Sequence, residues 1–229
     1  MTDAAPAHAD LPRVLVVDDD PIVRQSVTML IGSRGAGQVV ADAADGAAAV
    51  DEARRHRPDV VLMDVRMPQL SGPDATAEIL RILPETRIIA MTSLGTEEAL
   101  TRMVEAGALG FLVKDRVFDE AQQAIAAVMR GDGFTSPRAT AQLLRRYAEA
   151  AGDGARREAA ERFARLTDRE REVATLVAAG ASNPEIAQRL FLSVATVKTH
   201  LDQVRAKLGA ENRAHVAIVA DRAGFGPRL

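Results

Sequence analysis

The sequence predicts an α/β fold, a doubly wound five-stranded parallel sheet, followed by a smaller all-α domain. Up to about residue 130, short and nearly all-apolar runs alternate with segments of helical length, which is typical of a parallel sheet with helices on both faces. After Gly131-Asp132-Gly133 the strand pattern stops and only helical patterns follow. The 229 residues suffice for two domains, each with its own core.

The strands of the first part are predicted from its apolar and β-branched runs, which are Val14–Val17, Val39–Ala41, Val60–Met63, Arg87–Ala90 and Phe111–Val113. The helices are predicted between and after them, at Pro21–Ile31, Gly46–Arg55, Asp74–Leu83, Thr96–Ala106 and Asp119–Arg130. Consecutive parallel strands need such crossovers, so the pattern indicates repeated βα units. In this kind of sheet, functional side chains gather at the carboxyl ends of the strands.

In the C-terminal part, residues typical of helix N-termini predict where the helices begin. Thr167 and Glu170 have the spacing of a capping box. A second helix opens at Asn183, Ser193 caps a third, and a fourth covers about residues 213–223. The predicted regions are a disordered N-terminus (1–10), the α/β domain (11–133), a helical linker (134–163) with a Gly-rich flexible joint, and the helical domain (164–229).

Charge divides the chain in the same way. Residues 1–163 contain 19 Lys and Arg against 25 Asp and Glu, whereas residues 164–229 contain 10 against 7. A basic module after an acidic one indicates that nucleic acid binds the second part. The sequence has no cysteine, no secretion signal and no apolar run of the roughly 18 residues that a membrane helix needs. We therefore expect a cytoplasmic protein without membrane contact.

Five polar side chains follow the ends of predicted strands. Asp18 and Asp19 end the first strand, Asp64 the third, Thr92 the fourth and Lys114 the fifth. Three carboxylates at one sheet edge repel each other unless a hard cation neutralises them, and Mg²⁺ commonly does so beside phosphate. Hydroxyl, ammonium and metal would then hold a phosphoryl group on a carboxylate nucleophile. Each residue alone is more simply a solvated loop residue, but their shared position favours a site.

These residues carry a resemblance. The segments VLVVDDDPIVR, PDVVLMDVRMPQLSG, Thr92-Ser93 and GFLVK are similar to the receiver domain of bacterial response regulators over about residues 12–131. The resemblance implies a flavodoxin-like sheet of strand order 2-1-3-4-5. It also implies that Asp64 is the phosphoacceptor for the phosphohistidine of a sensor histidine kinase.

The resemblance implies further roles at the same sheet edge. Mg²⁺ would be held by Asp18, Asp19, Asp64 and the main-chain carbonyl of Arg66. The phosphoryl group would be sensed or contacted by Thr92, by Phe111 as an aromatic switch that turns inward, and by Lys114. Many receivers have a proline after this lysine, often with a cis bond, whereas this chain has Asp115. A cis bond would be costly at a non-proline residue, so we expect a trans peptide there.

The third helix of the C-terminal part has an apolar stripe formed by Val197, Leu201, Val204 and Leu208. The stripe leaves an outward face formed by Lys198, Thr199, Asp202 and Arg205. A short helix joined by a tight turn to such a helix indicates a helix-turn-helix, whose second helix enters the major groove of DNA. The alternative from pattern alone is a helical bundle that binds protein.

The segments LTDREREV, SNPEIAQRL, SVATVKTHL and AKLGAENRA resemble the LuxR-type DNA-binding domain over about residues 164–224, as in the NarL/FixJ family of response regulators. This resemblance implies that Lys198 and Thr199 reach bases or backbone, and that Arg205 and Lys207 approach phosphates. Asp202 departs from the donors that are common at its position, because a carboxylate is repelled by phosphate unless it accepts from a cytosine amino group.

We therefore predict a non-enzymatic transcriptional response regulator in which phosphorylation of Asp64 controls dimerisation and promoter binding. Its expected partners are a sensor histidine kinase, double-stranded promoter DNA, RNA polymerase and a second copy of the chain when phosphorylated or DNA-bound. One alternative is a Mg-dependent phosphatase-like enzyme, which leaves the helical domain without a role and lacks the DxD pair, because Val65 and Arg66 follow Asp64. Another is a receiver that acts only through protein–protein binding.

Overall fold

A computed structural model describes residues 11–93, 97–137, 139–141, 143–144 and 153–226. The predicted disordered N-terminus (1–10) lies outside these residues. Of the predicted Gly-rich joint, residues 151–152 also lie outside them, whereas residues 153–157 are helical, so the joint prediction was wrong there. Within the described part, no helix is both long and apolar enough to span a membrane.

The N-terminal domain is a parallel sheet in the order β2-β1-β3-β4-β5-β6. Its strands are β1 (Arg13–Val17), β2 (Gln38–Ala43), β3 (Val60–Asp64), β4 (Arg87–Thr92), β5 (Gly110–Val113) and β6 (Phe134–Thr135). Its helices are α1 (Pro21–Ser33), α2 (Gly46–His56), α3 (Gly72–Ile82), α4 (Glu97–Glu105) and α5 (Val117–Met129). The α/β class and the order 2-1-3-4-5 are thus confirmed.

The predicted strand number was wrong, because the sheet has a sixth strand. Strand β6 is two residues long and pairs in parallel with the outer edge of β5, with Thr135 opposite Phe111. The Ser136 N–H donates to the carbonyl of Phe111 at 3.1 Å and extends this pairing. Two residues are too few to produce an alternating pattern, and β6 follows directly on the Gly-Asp-Gly turn at which strands were expected to end.

Side-chain caps begin the helices that lead away from the sheet. Asp20 accepts a hydrogen bond from the Ile22 N–H at 2.8 Å at the start of α1, and Asp45 accepts from the Ala48 N–H at 2.9 Å at the start of α2. Each cap ends the preceding loop within a few residues of a strand. Only short loops therefore follow the carboxyl ends of β1 and β2. The polar site forms at this edge of the sheet.

The C-terminal domain consists of helices packed around an apolar cluster. The helices are α6 (Asp153–Ala164), α7 (Asp168–Ala178), α8 (Asn183–Leu190), α9 (Val194–Leu208) and α10 (Arg213–Ala220), followed by a π-helical turn (Asp221–Phe225). The capping box at Thr167 and the cap at Ser193 are present as expected. Helix α6, which was assigned to the linker, buries Ala159 and Phe163 in this cluster, and the Phe163 ring stacks on Phe225 at 4.3 Å.

Candidate phosphoacceptor site and nucleic-acid interface

Three carboxylates meet at the carboxyl ends of β1 and β3. Asp18, Asp19 and Asp64 each place an oxygen within 4.8 Å of the other two. Asp18 is fully buried and Asp64 is 4% exposed, whereas Asp19 is exposed. The close approach of α3 protects this corner, since a Cβ at Gly72 would collide with the main-chain carbonyl oxygen of Asp64. Sequence reasoning missed Gly72, which nothing but its glycine identity could have indicated.

Lys114 neutralises part of this acidic charge. Its Nζ lies 2.7 Å from Asp18 Oδ2 and 2.8 Å from Asp64 Oδ2. Burial lowers the pKa of Lys114, but the bonds to both carboxylates outweigh it and leave the pKa raised. Burial raises the pKa of Asp64, and its neighbour Asp18 adds to this, whereas Lys114 opposes it and the net pKa stays above the usual value. The site therefore combines a buried carboxylate with a cation that remains charged.

The structure also locates the residues around this cluster. Thr92 is fully buried at the end of β4, where its Oγ1 donates to the Ser93 carbonyl at 3.1 Å. Phe111 is 1% exposed and belongs to the apolar core. Its ring is therefore already in an inward orientation in this structure. The Arg66 N–H contacts Asp64 Oδ1 at 3.3 Å. The Lys114–Asp115 peptide is trans, as expected, and opens a 3-10 turn.

The candidate DNA-reading helix is α9. Its apolar stripe is buried in the domain core, as predicted: Val197, Leu201, Val204 and Leu208. Thr199 is exposed, with its Oγ1 donating to the Ala195 carbonyl at 3.2 Å. The Asp202 side chain is 75% exposed and lies 3.8 Å from Arg205. Arg205 also donates to the Glu211 carbonyl at 2.6 Å.

Two of the predicted DNA-contacting lysines are paired with buried carboxylates. Lys207 Nζ lies 2.7 Å from Glu170 Oε2, and Glu170 is 2% exposed. Lys198 Nζ lies 3.1 Å from Asp132 Oδ1 in the N-terminal domain and also donates to the Arg130 carbonyl at 3.3 Å. Asp132 itself is only 7% exposed. Lys198 of the outward face of α9 thus contacts the loop between α5 and β6, whereas Thr199 and Asp202 of that face stay exposed.

Other residues of the C-terminal domain complete this contact. Asn212 donates to the carbonyl of Val104 at the end of α4, at 3.3 Å. Arg213 is 4% exposed and packs so closely on Gly133 that a Cβ there would lie 2.7 Å from the Arg213 Cβ. Burial lowers the pKa of Arg213 to about 10 although Asp132 opposes this shift. We call this the docked arrangement; none of its contacts between domains was predicted.

The fold and the site define a class. A parallel α/β domain with a buried aspartate, two acidic neighbours and a lysine at one sheet edge is a receiver, and it is joined here to a helix-turn-helix domain. The chain matches the family described as response regulator receiver domain over residues 14–126. It matches bacterial regulatory proteins of the luxR family over residues 164–220.

Similar proteins have the same two-domain extent. The uncharacterized transcriptional regulatory protein YxjL of Bacillus subtilis is 36% identical over 218 residues, which cover 95% of this chain and 99% of that protein. The oxygen regulatory protein NreC of Staphylococcus carnosus is 33% identical, with 88% and 93% covered. The crystal structure of ChrA, a response regulator in a heme-sensing two-component system, is 30% identical with a TM-score of 0.53 and covers 94% and 98%.

The chain belongs to the NarL/FixJ family of response regulators, in which a receiver precedes a LuxR-type DNA-binding domain. It is a DNA-binding transcriptional regulator of a two-component system.

Proposed function

We propose that a sensor histidine kinase phosphorylates Asp64 and that this step controls promoter binding. The observation that carries the proposal is the pairing of buried Asp64 and Asp18 with one lysine. A carboxylate oxygen of Asp64 attacks the phosphorus of the phosphohistidine, the P–N bond breaks, and an acyl phosphate forms. Lys114 holds its charge beside the developing phosphoryl oxygens. The hydroxyl of Thr92, one strand end away, is the expected sensor of that group.

The residues present fit Mg²⁺. Three carboxylate oxygens within 4.8 Å of one another suit a hard cation that keeps several waters, and exposed Asp19 leaves the cluster open to solvent. Asp18, Asp19, Asp64 and the main-chain carbonyl of Arg66 would hold the ion. When bound, it would neutralise charge on the transferring phosphoryl group. Lys114 alone supplies one positive charge to the carboxylates, so the cluster retains an excess of negative charge without a cation.

The docked arrangement supports the coupling of the site to DNA binding. The Asp132 carboxylate pairs with Lys198 Nζ at 3.1 Å, in the place where a DNA phosphate would bind. Lys198 cannot bind both partners at once. Phosphorylation would favour a state in which this contact is broken and Lys198, Thr199, Asp202 and Arg205 face the groove. Lys207 can bind a DNA phosphate in the same state only if its ion pair with Glu170 breaks.

The active form is proposed to be a homodimer. Helix α1 exposes Ile22 and Met29, at 73% and 68%, with uncharged Gln25 between them. Its Arg24 folds back onto Asp42 at 2.9 Å. An uncharged apolar face on an acidic domain can pair with its own copy without like-charge repulsion, whereas β6 already covers the edge of β5. A Met29→Glu variant treated with beryllofluoride should sediment as a monomer where the wild type forms dimers.

The remaining expectations follow from regulation of transcription. RNA polymerase is the proposed further partner and the cytoplasm the proposed location, because the promoter is there. A non-enzymatic role is favoured over phosphoester hydrolysis, since hydrolysis leaves the helical domain without a role, whereas Lys198 of that domain contacts the domain that carries the acidic site. Sustained turnover of a phosphoester substrate with Mg²⁺ would support the enzyme instead.

The central test is phosphorylation with acetyl phosphate and Mg²⁺. Wild type should gain one phosphoryl group and bind duplex DNA more tightly, whereas Asp64→Asn should gain none. Asp20→Asn is the matched control, because the Asp20 side chain caps α1 and is not one of the three clustered carboxylates, and its main-chain N–H, which donates to Asp18, is kept. Equal labelling of Asp64→Asn and wild type would refute the site assignment.

A further inference from the structure

One aromatic side chain of the C-terminal domain is almost entirely exposed. Phe191 is 96% exposed, the highest value among the large exposed hydrophobic side chains of the described residues. It also has a left-handed backbone, with φ of 54°, which bulky residues rarely adopt. Aromatic residues make up only 3% of the chain. An exposed ring held in an unfavourable backbone conformation points to contact with a partner.

The position of the Phe191 ring is fixed by its neighbours. The Phe191 N–H donates to the Gln188 carbonyl at 3.4 Å, and the Leu192 N–H donates to the Ala187 carbonyl at 2.9 Å, which closes the end of α8. Leu190 and Leu192 on either side are partly buried against the domain core. Because both flanking side chains point into the core, the Phe191 ring is directed outward by a well-anchored turn.

This turn joins the two helices of the helix-turn-helix. In that motif the first helix crosses the DNA backbone and the first residues of the second meet base edges. Phe191 precedes the Ser193 cap of α9 by two residues and follows Arg189, which is exposed at the end of α8. Arg169 lies close by, donating to the Leu190 carbonyl at 2.5 Å. The ring thus sits between a backbone-crossing helix and a base-reading helix, beside cationic side chains.

We propose that Phe191 is a DNA-contacting residue whose ring packs on the deoxyribose of the backbone at the edge of the major groove. Arg189 meets the adjacent phosphate. The inference rests on α9 as the groove-entering helix, and it adds an apolar contact that carries no sequence information. Such a contact excludes water and releases no counterions, so it has a different signature from that of a lysine or arginine.

The test uses the full-length protein activated with beryllofluoride and Mg²⁺. The probes are a duplex that the wild type selects from a random-sequence library and a scrambled duplex of equal composition. Phe191→Ala should weaken binding to both about tenfold, or about 1.4 kcal/mol, with an unchanged dependence of log K on log salt. Phe191→Tyr should bind like wild type. Arg189→Ala should instead reduce the salt slope by about 0.9.

Three results would overturn the proposal. Wild-type affinity of Phe191→Ala would assign the ring to a protein partner, and weakening confined to the selected duplex would assign it to a base. A reduced salt slope would show that a phosphate contact was lost indirectly. Because the ring is exposed, the thermal midpoint of Phe191→Ala should match wild type, which separates binding from folding. Lys198→Ala separates a failure of the Phe191 proposal from a failure of α9 as the DNA-reading helix. If Lys198→Ala also binds DNA with wild-type affinity, α9 is not the DNA-reading helix.

Discussion

Replacing Asp132 by asparagine removes the charge that holds Lys198 while keeping the shape of the side chain. The two charged atoms lie 3.1 Å apart, which corresponds to an attraction of about 5 kcal/mol at an effective dielectric constant of about 20. Desolvation offsets much of this, because Asp132 is 7% exposed and Lys198 only 34%. Arg213 also loses a compensating neighbour. We expect Asp132→Asn to destabilise the docked arrangement by about 1.4 kcal/mol. This corresponds to a tenfold shift of the equilibrium toward the state in which the contact between the domains is broken.

DNA binding by the unphosphorylated protein measures this shift. If nearly all molecules are docked, the apparent Kd equals the intrinsic Kd divided by the small competent fraction. Asp132→Asn should therefore lower the apparent Kd about tenfold before phosphorylation and much less after beryllofluoride treatment, when wild type is already released. Fluorescence anisotropy with a duplex selected by the wild-type protein would report both values.

The control is Asp119→Asn, which removes the same charge from the surface of α5. Asp119 is 60% exposed and lies 3.5 Å from Arg116, so its loss should change DNA affinity only slightly. The reasoning would be refuted if Asp132→Asn bound no more tightly than wild type without phosphorylation. It would also be refuted if the gain were equal in both states, since the effect would then be general electrostatic attraction.

Further predictions concern stability and docking. Without Mg²⁺, Lys114→Ala should lose about 3 kcal/mol of unfolding free energy, and added Mg²⁺ should restore more stability to it than to wild type; equal responses would contradict the site. Burial raises the pKa of Glu170, but Lys207 and the Thr167 cap outweigh it and hold the pKa below 4.5. The stabilisation is thus full above that value and lost as pH falls through the folded pKa. The penalty of Glu170→Gln, about 1–2 kcal/mol at pH 7, should therefore shrink progressively in thermal melts as the pH is lowered below 4.5. Gly133→Ala should collide with Arg213 and favour DNA binding without phosphorylation, and an unchanged Kd would count against the docked arrangement.

Local patterns predicted the parts of the molecule that local physics determines. The apolar runs located the five longer strands. Strands β1, β3, β4 and β5 are almost entirely buried and therefore apolar, whereas the half-buried edge strand β2 was located by its short β-branched run. Asp64, Asp18 and Lys114 were predicted as neighbours because parallel strands place their carboxyl ends at one edge, and the structure places Lys114 Nζ within 2.8 Å of both carboxylates.

Features that depend on tertiary contacts were not predictable in this way. Lys198 and Asp132 lie far apart in sequence, and no periodicity relates them. Lys207 was assigned to DNA from the family resemblance, whereas its pairing with Glu170 requires knowledge of how α9 packs on α7. Phe111 was expected to turn inward, yet core packing already buries it. In each case a side chain's partner was decided by the packing of distant segments.

The short strand β6 has a practical consequence for the engineering of chimeric regulators. A splice at the Gly131-Asp132-Gly133 turn, where the sequence suggests a boundary, would attach a foreign segment to the edge of β5 and separate Phe111 from its neighbour Thr135. Because side chains alternate along a strand, inserting or deleting one residue there would also reverse which of Phe134 and Thr135 faces the helices. A transplanted receiver should keep its own residues through Ser136, and the junction belongs beyond them.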